Sequence, residues 1–189
     1  MIEIILRVIY LESNFFIVSR KTSYKITFQI SNALKYLNSF GVIHRDLKPD
    51  NIMVFDSSEE NFKVKIINFG LSKILGPNEK TVEGYGTLCF AAPEIILREP
   101  YNNSVDIWSL GVIVYYIISG DMPFNDTNTI VIFNKILYEE MKFPKQIGNS
   151  KSGELKDFIS QCLIKDPKKR ITIDKLVEHE WLKLSENLK

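Results

Sequence analysis

The chain is poor in the features that mark several large protein classes. It has 2 cysteines, Cys89 and Cys162, far apart and with no C-x-x-C spacing. That pattern excludes a disulfide framework and suits a reducing compartment. Long apolar runs are missing. The longest, Ile107 to Ile118, is interrupted by Trp108, Ser109 and Gly111 and falls short of the about 20 residues a bilayer span needs. Charge of one sign is also missing: 24 basic and 23 acidic residues leave a formal net charge of +1. Such a balance gives no push toward nucleic acid or an anionic membrane, so neither is expected as a partner. The apolar N-terminus carries Glu3 and Arg7 and has no small-residue cleavage site, so no signal peptide is read and the cytosol or nucleus is favoured. Repeats and low-complexity tracts are absent. What is left is an ordinary globular composition, 45% hydrophobic over 189 residues, which suits one domain or a little more.

Against that plain background one stretch is dense with chemistry: His44-Arg45-Asp46-Leu47-Lys48-Pro49-Asp50-Asn51. Upstream, Ile26, Ile30, Ala33, Leu34 and Leu37 recur at helical spacing. Downstream, Ile52-Met53-Val54-Phe55 reads as a short strand. The octet is therefore a loop held between a helix and a strand, a common place for catalytic groups. Asp46 can accept a proton from an attacking hydroxyl. Lys48 can neutralise charge on a transferring phosphoryl group. The amide oxygen of Asn51 can ligate Mg²⁺, which prefers hard oxygen donors. Pro49 stiffens the turn by fixing its own φ.

The spacing matches H-R-D-L-x-x-x-N, and here the sequence resembles the eukaryotic protein kinase family. Lys48 looks like the serine/threonine branch. Further motifs follow in the family's order. Asn68-Phe69-Gly70 stands where the family has D-F-G, after a strand expected over Lys63 to Ile67. The resemblance implies that ATP and Mg²⁺ are the cofactors and that Asn51 and Asn68 face the metal. Asn68 replaces the family's chelating Asp, so a divalent cation should bind more weakly. Residues 68 to 94 resemble an activation segment closed by Ala92-Pro93-Glu94. Gly86-Thr87 matches a G-T whose hydroxyl bonds the catalytic Asp and Lys. Thr81 and Tyr85 are candidate phosphosites. Glu83 falls three residues before Gly86, where related kinases carry a phosphorylatable Thr. Two readings are open for its carboxylate: a partner for Arg45 that orders the segment without modification, or a solvated loop acid.

Asp106-x-Trp108-Ser109-x-Gly111 matches D-x-W-S-x-G. It opens a run, Ser104 to Gly120, that is apolar on nearly every face, as a helix buried in a large core must be. By resemblance Asp106 tethers the catalytic-loop backbone, which would satisfy an otherwise costly buried acid. Asp166-Pro167-x-x-Arg170 matches D-P-x-x-R, whose Arg forms a buried ion pair with the Glu of A-P-E, here Glu94. Met53 is core in the plain reading and, by resemblance, the floor of the adenine pocket. Tyr115, Tyr116 and Phe133 are taken as core, and His179 as a packed helix residue. Further helices are expected over Thr127 to Glu140 (face Ile130, Phe133, Leu137), Glu154 to Ile164 and Ile173 to Leu182, with a charged loop from Lys145 to Lys156.

The expected fold is α+β and mostly α: a kinase-like large lobe over 20–189, preceded over 1–19 by a remnant small-lobe hairpin. Ile4 to Leu11 and Phe15 to Val18 supply the hairpin's strands. Only 43 residues precede His44, whereas a small lobe takes on the order of 60. No Gly-rich loop or V-A-I-K strand is found. Gly84-Tyr85-Gly86, the only G-x-G, lies on the wrong side of the catalytic loop. The closest subgroup by likeness is the calcium/calmodulin-dependent and calcium-dependent kinases. Three readings follow: a serine/threonine kinase acting on a protein hydroxyl, with Asp46, Lys48, Asn51 and Thr87 in catalytic roles; a silent relative that binds partners; or the incomplete product of a gene whose full form supplies the other lobe.

Overall fold

The computed structural model describes residues 4–5, 20–58, 61–84, 86–144 and 153–183, with side chains placed for all of these but 4, 5 and 20. The organising element is α3 (Ser104–Ser119), buried along nearly its whole length. Val105, Trp108, Leu110, Val112, Ile113, Val114 and Ile117 are all at the centre of the core. A helix without a polar face must be enclosed on all sides, and α1 (Arg20–Ser39), α5 (Gly153–Cys162) and the end of the activation segment surround this one. Gly111 permits the closest of these approaches: a Cβ there would lie 2.5 Å from the Cβ of Cys162 on α5 (Gly153–Cys162). Helix α3 stops at Gly120, whose left-handed φ of 78° lets its N–H bond back to Tyr116 O.

Before it comes α1 (Arg20–Ser39), which buries Ile26, Ile30 and Leu34 on one face. It leads through β2 (Val42–Ile43) into the polar octet, whose end forms a single 3₁₀ turn, Pro49–Asn51. Strands β3 (Ile52–Asp56) and β4 (Lys63–Ile66) then pair antiparallel, Ile52 opposite Ile66 and Val54 opposite Val64. Strand β1 (Ile4–Ile5) adds to the free edge of β3, Ile4 opposite Val54. The rest of the proposed N-terminal hairpin lies outside the described residues. A second pair joins β2 to β5 (Lys73–Ile74). These small sheets flank the loop; helices carry the core.

The C-terminal part departs from the expectations in three places. Helix α4 (Thr129–Tyr138) buries Ile132 and Ile136 and leaves Ile130 exposed and Phe133 half-buried. Two apolar stripes compete on that helix, and the one read from sequence is the less buried. Helix α5 begins at Gly153, so the loop predicted to reach Lys156 ends earlier. The last predicted helix is two short ones, α6 (Ile173–Val177) and α7 (Glu180–Lys183). His179 makes the break: its Nδ1 accepts from Trp181 N and its carbonyl from Leu182 N. It is packed as expected, edge-on to Phe158 and bonded through Nε2 to Asp157, but it lies between the helices and not in one. Helix α2 (Pro93–Ile96) closes the activation segment.

Candidate active site

Asp106 sets the backbone of the polar loop. It sits in the first turn of α3, 3% exposed, and its two oxygens accept from the backbone N–H of His44 (2.8 Å) and Arg45 (3.0 Å). Burial pushes its carboxyl above the usual range, while those two amides pull the other way. Arg45, held this way, adopts a left-handed φ of 68°. The imidazole of His44 is fully buried, bonded to Ile67 O at 3.0 Å and edge-on to the Phe69 ring at 5.1 Å. Phe69 is half-exposed and borders an apolar recess of about 330 Å³ shared with Ile30, Leu37, Val64 and Ile66. Gly70 follows in the same 3₁₀ turn, Phe69–Leu71.

Asp46 is the hub. One carboxylate oxygen accepts from Thr87 N (3.0 Å) and Thr87 Oγ1 (2.9 Å). The other lies 3.1 Å from Lys48 Nζ and 3.0 Å from Asn51 Nδ2. Lys48 Nζ also donates to Thr87 Oγ1 at 2.7 Å. So Asp46, Lys48, Asn51 and Thr87 converge on one point. Gly86 makes the approach possible: with φ at 114°, a Cβ there would meet Arg45 O at 2.7 Å. Asn68 reaches the same cluster, its Nδ2 donating to Asn51 Oδ1 at 3.1 Å. Met53 lies one step along β3 from the buried Ile52, half-buried and opposite Lys65. Its side chain is therefore on the other face of the strand from Ile52 and Val54.

A second cluster fixes the activation segment. Arg45 Nη1 meets Glu83 Oε2, and Lys73 Nζ meets the other oxygen at 3.0 Å. Tyr101 OH donates to Glu83 O. The hydrogen bonds from Arg45, then Lys73, hold the Glu83 carboxyl below the usual range. Burial opposes the charge of Arg45, but Glu83 and Tyr101 outweigh it and raise its pKa. No motif signals Lys73 or Tyr101, whose parts exist only once the chain is folded. Thr81, a candidate phosphosite, is buried: its backbone bridges Tyr101 and its hydroxyl accepts from Lys73. Tyr85 lies outside the described residues.

Below this, Arg170 grips Glu94 with two parallel bonds of 2.7 and 2.9 Å, both side chains fully enclosed. Its remaining donors reach Ile164 O, Ser104 O and Lys165 O, and its guanidinium lies over the Trp108 ring at 5.2 Å. Ser109 ties α3 to Phe90 O at 2.8 Å, a contact its motif position alone did not disclose.

Residues 7–182 match the family profile of the protein kinase domain. The chain belongs to the protein kinase family. Its similar proteins include a probable myosin light chain kinase of Dictyostelium discoideum, 41% identical over 87% of this chain and 42% of that one. The probable serine/threonine-protein kinase MARK-A of the same organism is 38% identical over 82% of this chain and 14% of its own length. A CDPK-related protein kinase of Daucus carota is 37% identical over 87% and 27%. This kinase chain thus spans less than half the length of these relatives, and its likeness is to serine/threonine kinases. Its fold is the mostly helical one expected of a kinase large lobe. No helix among the described residues is long and apolar enough to cross a membrane.

Protein kinases generally use ATP and Mg²⁺. The polar groups in this kinase's loop do not fit the metal as they stand. Mg²⁺ takes anionic or hard oxygen ligands at about 2.0–2.1 Å. The carboxylate of Asp46 is already filled by Thr87, Lys48 and Asn51. The Asn51 oxygen accepts from Asn68. Among the described residues no group of three or more His, Cys, Asp or Glu could hold an ion.

Proposed function

We propose that this chain is the large lobe of a serine/threonine protein kinase, moving the terminal phosphate of ATP to a hydroxyl on a protein substrate. The observation that carries the reading is the junction at Asp46, where the catalytic loop meets Thr87 of the activation segment. A general base must lie within hydrogen-bond reach of the proton it takes. Asp46 accepts from the Thr87 hydroxyl at 2.9 Å, so a substrate hydroxyl that displaced it would lie within reach of the base. In the step, the acceptor proton passes to Asp46, the acceptor oxygen bonds to phosphorus, and the bond from phosphorus to the ADP oxygen breaks. Lys48, on both Asp46 and Thr87, faces the negative charge of the transferring group. Asn51, Met53 and Asn68 form the nucleotide side.

Positioning and charge stabilisation supply nearly all of phosphoryl-transfer catalysis. Asn68 brings no charge, so transfer is slow. The test is incorporation of labelled γ-phosphate into a Ser/Thr protein substrate. Slow transfer that Asp46→Ala abolishes is expected; transfer unchanged by that substitution overturns the reading. The bonding of Asn68 to Asn51 favours a second reading, a catalytically silent kinase fold that binds protein partners. No Asp46-dependent transfer at any substrate concentration would select it.

A further inference from the structure

The polarity of the Asp46 cluster runs in one direction. Asn51 Nδ2 donates to Asp46 O at 2.7 Å and to Asp46 Oδ2 at 3.0 Å. Neither partner, a carbonyl and a carboxylate oxygen, can donate in return. The amide of Asn51 is therefore fixed in one orientation, with Oδ1 turned away from Asp46. The group 3.1 Å from that oxygen belongs to Asn68, and only its NH₂ end can sit there without oxygen facing oxygen. Asn68 reaches this position from a left-handed backbone, φ 64°, a conformation that Asn and Asp adopt more readily than other side chains. Alongside, Ile67 N donates to Asn51 O at 2.9 Å, so the end of the catalytic loop and the start of the activation segment are already in register.

We propose that Asn68 is an internal, uncharged substitute for a divalent cation, its amide hydrogen occupying the place between two oxygen-bearing side chains where an ion would otherwise sit. The proposal rests on the kinase reading only for which ion is displaced; the bond itself does not depend on catalysis. Putting Asp at position 68 replaces the donor with an oxygen. Two oxygens then face each other at about 3 Å, the spacing of adjacent ligands around an octahedral ion with bonds of about 2.0–2.1 Å. Without an ion that pair repels. With one, it becomes a site.

Two measurements on the purified chain test this. The first is Mn²⁺ binding, followed by the electron paramagnetic resonance signal of the free ion. The second is thermal melting in EDTA and in excess Mg²⁺. Wild type is expected to melt within about a degree in the two buffers, because a ligand that does not bind the folded state does not shift its midpoint. Asn68→Asp is expected to melt below wild type in EDTA, to recover in Mg²⁺, and to bind Mn²⁺ at least about tenfold more tightly, which is about 1.4 kcal/mol. Adding Asn51→Ala to that variant should remove the gain. Wild type binding Mn²⁺ as well as Asn68→Asp overturns the proposal. So does a variant that melts alike in both buffers or folds in neither. Neither readout involves phosphate transfer, so failure of the kinase reading and failure of this one are told apart.

Discussion

Glu83 spans two cations that come from different parts of the chain, Arg45 in the catalytic loop and Lys73 on β5. One carboxylate thereby fastens the activation segment at the residue next to Asp46. Its pKa lies below the ordinary 4.5, chiefly through the hydrogen bond from Arg45. The sign follows from linkage: an acid with a lowered folded-state pKa contributes fully above its unfolded value and loses that contribution as pH falls through the folded one. Amide exchange in residues 81–84 and 86–87 should therefore be steady from neutral pH down to about 4.5, once corrected for intrinsic rates, and speed up below it. Glu83→Gln should give the faster exchange at neutral pH as well. Unchanged protection in that variant would mean the segment is ordered by other contacts.

Among the elements, α3 was the plainest in the sequence, because a run apolar on nearly every face reads as a helix enclosed by a core. Its single acid, Asp106, was equally legible, since a buried carboxylate needs donors and the catalytic-loop amides supply them. Asp46, Lys48 and Thr87 come together as the resemblance implies, and of the two readings open for Glu83 the contact with Arg45 is the one the structure contains. Other features were hidden for physical reasons. The buried face of α4 is Ile132 and Ile136, but Ile130, Phe133 and Leu137 offer an equally periodic choice, and only tertiary packing decides between them. The break at His179 is made by a side chain accepting a backbone N–H two residues on, which no periodicity encodes. Asn68 was visible as a lost charge but not as a donor. Its direction depends on how Asn51 is bonded, and Asn51 is oriented by Asp46.

At the scale of the whole molecule, the ion pair of Arg170 and Glu94 locks the C-terminal helices to the end of the activation segment across 76 residues of sequence. Both partners are enclosed, and Arg170 also serves three carbonyls. Arg170→Ala leaves a buried carboxylate without its partner, a change that costs about 3–5 kcal/mol. Urea denaturation should record a loss of that size; a loss under about 1 kcal/mol would mean the pair is not formed in solution. Glu94 closes the same segment that carries Thr87. Segment and loop meet at the contact between Thr87 and Asp46. Hydrogen exchange at the Thr87 amide reads it directly, since that N–H donates to Asp46 Oδ1 at 3.0 Å. The amide should be protected in the free wild-type chain and exchange at close to the unfolded rate in Asp46→Ala. Equally fast exchange in both proteins would contradict the assembled site.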